Sequence, residues 1–245
     1  NAKAEEKLAE AKDKTSKSIS NQMMVYKAFK TAGLSDNQAR IITAEVGREN
    51  DYQSQYLFGG HSDPKNNKYN LGMISWQKER GKALNDYLKE LGLIQNGQIV
   101  KTQEALNAQA MFALKEMTTN SRFDRTKKEF LSNPDISYDK GSEVLGNNYI
   151  AWRYNDPKYA NGHNRRDKHY KSINAELGND DTMKTLQAEN KTEIMSLISQ
   201  RLNLCMLKVQ LSAQSYWIEL KPSTKKSAKP KQSLSLKAIC LMTLS

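Results

Sequence analysis

The stretch TAEVGREND, residues 43–51, places two carboxylates four residues apart and then ends in residues that seldom continue a helix. Residues at this spacing lie on one helical face, so Glu45 and Glu49 point the same way and destabilise a helix by roughly 0.2–0.5 kcal/mol. The ordinary explanation is a solvated face on which Arg40 or Arg48 screens both charges. The alternative is a site at the helix end in which one carboxylate does chemistry.

The residues before this pair predict the helix that carries it. Ser35, followed three residues later by Gln38, matches a capping box. A buried stripe follows, formed by Ala39, Ile42 and Val46. We therefore expect a helix over 36–49. The next part, 51–77, mixes Gly, Pro, Asn and Asp with short apolar runs, which favours a small β-hairpin and loops.

Helical periodicity marks most of the remaining domain. Apolar spacing and stop signals predict helices over these further segments: 21–32, 78–91, 102–120, 122–133, 140–154 and 165–177. The segment 102–120 has the strongest amphipathic pattern and is expected to be the buried central helix, with Thr102 at its start. We expect a loop over 155–164. The fold class predicted is α+β and predominantly helical.

Composition divides the chain into three parts. Residues 1–20 are Ala-, Lys- and Glu-rich and read as a charged linker or helix, while 21–178 carry the apolar patterns of one folded domain. Residues 179–245 form a basic, partly apolar C-terminal extension, for which poor order is an open alternative. Cys205 and Cys240 both lie in this extension, so the domain contains no disulfide framework.

The net charge of +11 is distributed unevenly. From Arg201 onward eight Lys and Arg face one Glu, a net of +7 that leaves +4 for residues 1–200. Such an excess favours an anionic partner, which could be nucleic acid, a membrane surface or a wall polymer. A basic nucleic-acid-binding module without enzymatic activity is therefore one alternative function, and an inert helical module is another.

No apolar run reaches the roughly 18 residues that a membrane-crossing helix needs. The N-terminal residues lack the apolar stretch of a signal peptide. The spacing of His163 and His169 is not that of metal ligands, so we expect no metal and no cofactor.

The position of Glu49 suits general acid catalysis. The helix ends directly after it, and the following loops carry Tyr52, Tyr56, Tyr69 and Trp76. A carboxyl backed by apolar rings loses solvation, which raises its pKa toward the value a proton donor needs. Glycoside cleavage requires such a donor, together with a group that stabilises the cationic centre opposite. Asp51 and Asp63 are the nearby carboxylates for that second role.

Four stretches, in this order, carry a resemblance to a known family. They are ENDY (49–52), YNLGMISWQKERGKAL (69–84), LNAQAMFALKEM (106–117) and YIAWRYNDPKYANGHNRRDKHY (149–170). Together they resemble the lysozyme-like muramidases of phage tails and endolysins, which are related to soluble lytic transglycosylases. The likeness covers about residues 21–178. It implies a lysozyme-like fold with a small β-hairpin after the catalytic helix.

The resemblance also implies an activity and a site. The activity is cleavage of the β-1,4 bond between N-acetylmuramic acid and N-acetylglucosamine in peptidoglycan, with Glu49 as the catalytic acid and Glu45 as a support or groove charge. The groove would be lined by Tyr52, Tyr69, Leu71, Gly72 and Trp76. Met73 stands where the family has Gln, so contacts there differ. Asp63, in an SDP turn, is the candidate second catalytic group, and hydrolysis and transglycosylation stay open.

The same resemblance implies partners and a place of action. We expect peptidoglycan glycan strands as the substrate, and no nucleic acid as a partner. The enzyme would act in the periplasm or at the cell wall, delivered by a phage or by a secretion system. Delivery by a contact-dependent secretion apparatus would imply an immunity protein in the producing cell.

Overall fold

The structure, a computed structural model, describes residues 2–62 and 69–178 together with positions 195 and 199. The chain divides into two units, Asn1–Met183 and Lys184–Ser245, and every element below belongs to the first. Within the described residues, eight α-helices combine with two small antiparallel sheets. The predicted class, predominantly helical α+β, is confirmed. The C-terminal extension lies almost entirely outside the described residues.

The helices are α1 (Ala2–Thr31), α2 (Asp36–Asn50), α3 (Ser54–Leu57), α4 (Lys78–Glu90), α5 (Gln103–Thr119), α6 (Asp124–Thr126), α7 (Tyr138–Val144) and α8 (Ala160–Leu177). The strands are β1 (Gly60–Ser62), β2 (Tyr69–Leu71), β3 (Trp76–Gln77), β4 (Ile94–Gln95) and β5 (Gln98–Ile99). Short 3-10 turns cover Ser121–Phe123 and Pro157–Tyr159, and π-helical turns cover Lys127–Leu131 and Leu145–Tyr149.

Helix α2 is the most enclosed element of the domain. Eleven of its fifteen residues are buried, and it packs against α1, α7 and α8. Its start is the predicted capping box: the Ser35 hydroxyl accepts from the Gln38 amide, and the Gln38 side chain accepts from the Ser35 amide. The helix that carries both carboxylates is therefore held on several sides, more so than α5, which was expected to be the central helix.

A three-stranded antiparallel sheet of order β1-β2-β3 follows α2. Gly60 pairs with Leu71 and Leu71 with Trp76. The buried Gln109 side chain of α5 fixes the sheet, because it accepts from the Met73 amide at 2.9 Å and donates to the Leu57 carbonyl at 3.0 Å. A second antiparallel hairpin, formed by β4 and β5, follows α4.

The chain between α7 and α8 differs from the sequence-based expectation. The helix predicted over 140–154 ends with the π-helical turn at Tyr149, and Ala151 adopts a left-handed conformation with φ of 56°. The loop expected over 155–164 contains the first turn of α8 from Ala160. Glycine normally weakens a helix, but a Cβ on Gly162 would lie 2.9 Å from the Trp152 ring, so only glycine lets α8 approach that ring.

None of the helices in the described part combines the length and the apolar composition that a bilayer crossing requires.

Candidate active site at the end of helix α2

The C-terminus of α2 is followed by two consecutive strained residues. Asp51 and Tyr52 both have left-handed backbones, with φ of 51° and 56°. Such a conformation costs a non-glycine residue about 1–3 kcal/mol and persists only where the surroundings enforce it. Here the Asp51 amide donates to the Gly47 carbonyl, and the Asn50 side chain accepts from the Tyr52 amide while donating to the Met73 carbonyl at 3.0 Å. Asn50 thus ties the helix end to the β2–β3 loop.

One arginine joins the two carboxylates that the sequence singles out. Arg48 donates from Nε to Glu45 at 2.7 Å and from Nη2 to Glu49 at 2.9 Å. The Glu45 side chain is 0% exposed, whereas that of Glu49 is 28% exposed. Of these two carboxylates, only Glu49 has surface that a substrate could touch.

The buried carboxyl of Glu45 has an unusual electrostatic setting. Burial raises its pKa above the ordinary value, against the lowering influence of Arg48 and of Arg166, whose Nη1 lies 3.7 Å from Oε1. Among the described residues, neither Glu45 Oε1 nor Arg166 Nη1 has a hydrogen-bond partner. Glu45 therefore acts from inside the fold, where it holds Arg48 in place.

A second ionisable group lies at the same helix end. Asp51 accepts a hydrogen bond from Arg165 at 2.8 Å and lies 3.0 Å from His169 Nε2. Burial raises the pKa of Asp51, but the bonds from His169 and Arg165 outweigh it and leave that pKa below its ordinary value. Burial lowers the pKa of His169, whose side chain is 13% exposed. The contacts of Asp51 with Arg165 and His169 join the end of α2 to α8.

Two of the predicted groove aromatics are buried. Tyr52 and Trp76 are each 1% exposed. The Tyr52 hydroxyl donates to the Thr43 carbonyl at 2.9 Å, and Trp76 Nε1 donates to Glu116 at 2.7 Å. Neither ring offers a face to a sugar, so their position supports a structural role beneath the site rather than direct contact.

The other predicted site residues divide between core and surface. Leu71 and Gly72 are buried at the end of β2, where a Cβ on Gly72 would collide with the Gln109 side chain. Tyr69 is 57% exposed and remains available for contact. Asp63 lies outside the described residues. The structure therefore brings Glu45, Glu49 and Tyr52 together at one helix end.

A buried polar cluster escaped the sequence reasoning. Glu116 on α5 accepts two hydrogen bonds from Arg80, at 2.7 and 2.8 Å, and further bonds from Trp76 and from the Tyr149 hydroxyl. Arg80 is thus held by a protein carboxylate. The available signal was an acidic residue directly beside the apolar stripe of α5, next to Met117.

Two cavities lie near this helix end. A groove of about 1030 Å³ runs between the β1–β2 edge, the start of α4 and the β4–β5 hairpin. A second cavity of about 900 Å³, between α1 and α8, includes Asp51 and His169 in its lining. Glu49 borders neither cavity.

The described residues contain no group of three or more His, Cys, Asp or Glu side chains arranged to hold a metal ion. Comparison of the chain with protein-family models, with curated proteins and with solved structures finds no match.

Proposed function

We propose that this chain is a lysozyme-like glycosidase that cleaves the β-1,4 bond between N-acetylmuramic acid and N-acetylglucosamine in peptidoglycan, with Glu49 as the general acid. The observation that carries the proposal is the placement of Glu49. It is a partly exposed carboxylate at the last turn of an enclosed helix, followed by a strained turn and a three-stranded antiparallel sheet. Strain of this kind is concentrated at functional sites.

The surroundings of Glu49 hold its side chain in one position. A donor must be positioned in both protonation states, and Arg48 is held independently of Glu49 by the buried Glu45. When Glu49 carries its proton, Arg48 therefore keeps its place beneath it. Protonation of the leaving oxygen by a positioned acid contributes about 10²–10⁴ in rate.

The proposed mechanism needs one protein carboxylate. Asp51 is already paired with Arg165 and His169, which leaves it a positioning group rather than a free nucleophile. The group opposite the acid would be the N-acetyl group of the substrate or a water, with Asp63 as the alternative. Hydrolysis and transglycosylation both fit this arrangement. The enzyme would act on the cell wall after delivery by a phage or a secretion system, in the latter case with an immunity protein in the producer.

The test is loss of turbidity of purified peptidoglycan. We expect the wild type to clear the suspension, Glu49→Gln to be at least about 100-fold slower, and Glu79→Gln, which changes an exposed carboxylate on α4, to match the wild type. The mass of the released muropeptides then identifies the reaction, since an anhydro product is lighter by one water.

Two results would overturn the assignment. If Glu49→Gln cleared walls as fast as the wild type, Glu49 would not be the acid. If the wild type were inactive on walls of several chemotypes yet retarded DNA in a salt-sensitive way, the chain would be a nucleic-acid-binding module.

A further inference from the structure

The groove beside the sheet has a charge of one sign. Lys78, Lys82 and Lys101 line it, with Lys82 paired to Asp86 at 2.7 Å, and no Asp or Glu occurs among the described residues of the wall itself. A cleft with one sign of charge concentrates oppositely charged ligands. At about 1030 Å³ it lies at the upper end of the size of ligand sites, which suits an elongated molecule.

The uncharged part of the wall combines apolar groups with amides. Phe58, Leu71 and Ile99 back the groove as apolar side chains, each at most 7% exposed. Amide side chains are supplied by Gln55, Asn85, Asn96 and Gln98. Amides donate and accept hydrogen bonds at once, as peptide groups require. The wall therefore matches a ligand that carries carboxylates, small apolar side chains and amide bonds.

Backbone geometry fixes two sides of the groove. Asn96 and Gly97 both have left-handed backbones, with φ of 49° and 75°, which is the two-residue turn that closes a tight β-hairpin. On the opposite side, Lys78 also adopts a left-handed conformation, with φ of 49°, although it is not glycine. A lysine kept in this conformation by its surroundings indicates an enforced local geometry.

The groove is connected through the β2–β3 loop to the helix that carries the proposed acid, but Glu49 does not line it. Leu71 contributes to the groove wall, and two residues further along the same chain the Met73 carbonyl accepts from Asn50, the neighbour of Glu49. The β2–β3 loop thus connects the groove wall to the end of the helix that carries Glu49.

We propose that this groove binds the carboxylate-bearing peptide stems of peptidoglycan, while the glycan strand lies at Glu49. The inference rests on the proposed function and extends it to the peptide part of the substrate. Recognition would come from the lysine ammonium groups facing stem carboxylates and from the amide side chains pairing with peptide groups. The enzyme would accordingly prefer walls whose stems keep free carboxylates over walls whose stems are amidated.

Calorimetry with the full wild-type chain tests this binding directly. The probe is the synthetic stem pentapeptide L-Ala-γ-D-Glu-L-Lys-D-Ala-D-Ala, which has no glycosidic bond and is not cleaved. We expect saturable binding that weakens with salt. Lys78→Ala and Lys101→Ala should each weaken it about fivefold, whereas Lys115→Ala, at an exposed position of α5 away from the groove, should not. Amidating the peptide carboxylates should weaken binding at least as much as either groove substitution does.

The outcomes separate this inference from the proposed function. Wall cleavage by a protein that does not bind the peptide, or that binds it equally well in all three lysine variants, would overturn the groove assignment and leave Glu49 as the acid. Peptide binding by a protein that cleaves no wall would instead keep the groove assignment and overturn Glu49 as the catalytic acid. Tighter binding of a single-stranded oligonucleotide at the same lysines would also overturn the groove assignment.

Discussion

The guanidinium carbon of Arg48 lies 4.4 Å from the ring centre of Trp152. An arginine over an indole face is attracted by about 0.5–1 kcal/mol at exposed sites and by about 2 kcal/mol when desolvated, and Arg48 is only 8% exposed. Arg48 also donates to both Glu45 and Glu49, so the Trp152 ring packs on the arginine that joins the two carboxylates. The loop after α7 therefore takes part in the site at the end of α2, although about a hundred residues of chain separate them.

Replacing Trp152 should impair catalysis through Arg48. We expect Trp152→Leu to lower the rate of wall cleavage by about tenfold, because a looser Arg48 lets Glu49 leave its productive position. Trp152→Phe, which keeps an aromatic face, should retain most of the activity. Clearance rates of peptidoglycan suspensions compare the two variants. Equal activity of Leu, Phe and wild type would show that the ring contact does not position the acid.

Two variants at Glu45 distinguish the need for a hydrogen-bond acceptor at this position from the need for a negative charge. Glu45→Ala leaves Arg48 and Arg166 without their buried partner and should lower the free energy of unfolding by about 3–5 kcal/mol. Glu45→Gln keeps an acceptor for Arg48 and should cost much less, since burial raises the pKa of Glu45 and so favours its neutral form. Urea unfolding at neutral pH measures both values.

The raised pKa of Glu45 predicts the direction in which stability changes with pH. A folded-state pKa above the unfolded value gives stability that is complete below the unfolded value and declines as pH rises through the folded one. The wild type should therefore lose stability relative to Glu45→Gln as pH rises from about 4.5. If Gln proved as destabilising as Ala, the ionised carboxylate rather than an acceptor would be what the fold requires.

Gln109 should determine how firmly the β2–β3 loop is held. Gln109→Leu leaves the Met73 amide and the Leu57 carbonyl without their side-chain partner, at about 1–3 kcal/mol for each group. Hydrogen exchange at the Met73 amide should accelerate, and unfolding should need less urea. Gln98→Ala, on the exposed side of β5, serves as the control and should change neither quantity. Unchanged exchange in Gln109→Leu would show that the sheet holds this loop without the glutamine.

Acidification should loosen the junction of α2 with α8 through His169. Burial lowers the pKa of His169, although Asp51 acts in the opposite sense and Arg165 and Lys168 act with the burial. A depressed folded-state pKa gives stability that is present above the unfolded value of about 6.5 and is lost as pH falls through the folded value. Thermal unfolding between pH 7 and pH 5 should show this decline.

The control is His169→Gln, which cannot take up a proton and should show a flatter profile over the same range. Asp51→Asn removes the group that favours protonated His169, so its decline with falling pH should be steeper than that of the wild type. Parallel profiles for all three proteins would show that this histidine does not set the pH dependence.

Local signals predicted much of the fold. The capping box at Ser35, the apolar stripe of α2 and the hydroxyl cap at Thr102 are local patterns within single helices, and the structure contains the helices they predict. Residues 2–31 form one helix. Of the two alternatives predicted for the first twenty residues, a charged linker or a helix, the structure contains the helix. The start of α8 was missed because the glycine and asparagines of its first turn have low helix propensity, and packing of Gly162 against Trp152 overrides it.

Sequence spacing could not predict which residues surround the site. Tyr52 and Trp76 stand in loop-like sequence, and only the tertiary fold shows that both rings are buried. The contacts of Arg48 with Trp152 and of Asp51 with His169 join residues more than a hundred positions apart. No periodic pattern encodes such pairs, whereas the Glu45 and Glu49 spacing was visible because it arises within a single helix.

The length of α1 sets a geometric condition on whatever is attached to or recognises its first turns. Its thirty residues rise about 45 Å, and the described side chains of residues 5–17 are exposed. The last third, with Val25 and Phe29, is anchored in the core. An attachment near Ala2 is thereby kept at a set distance and rotational phase, so inserting two residues into the exposed part would swing it to the opposite side, whereas inserting seven would nearly restore its direction.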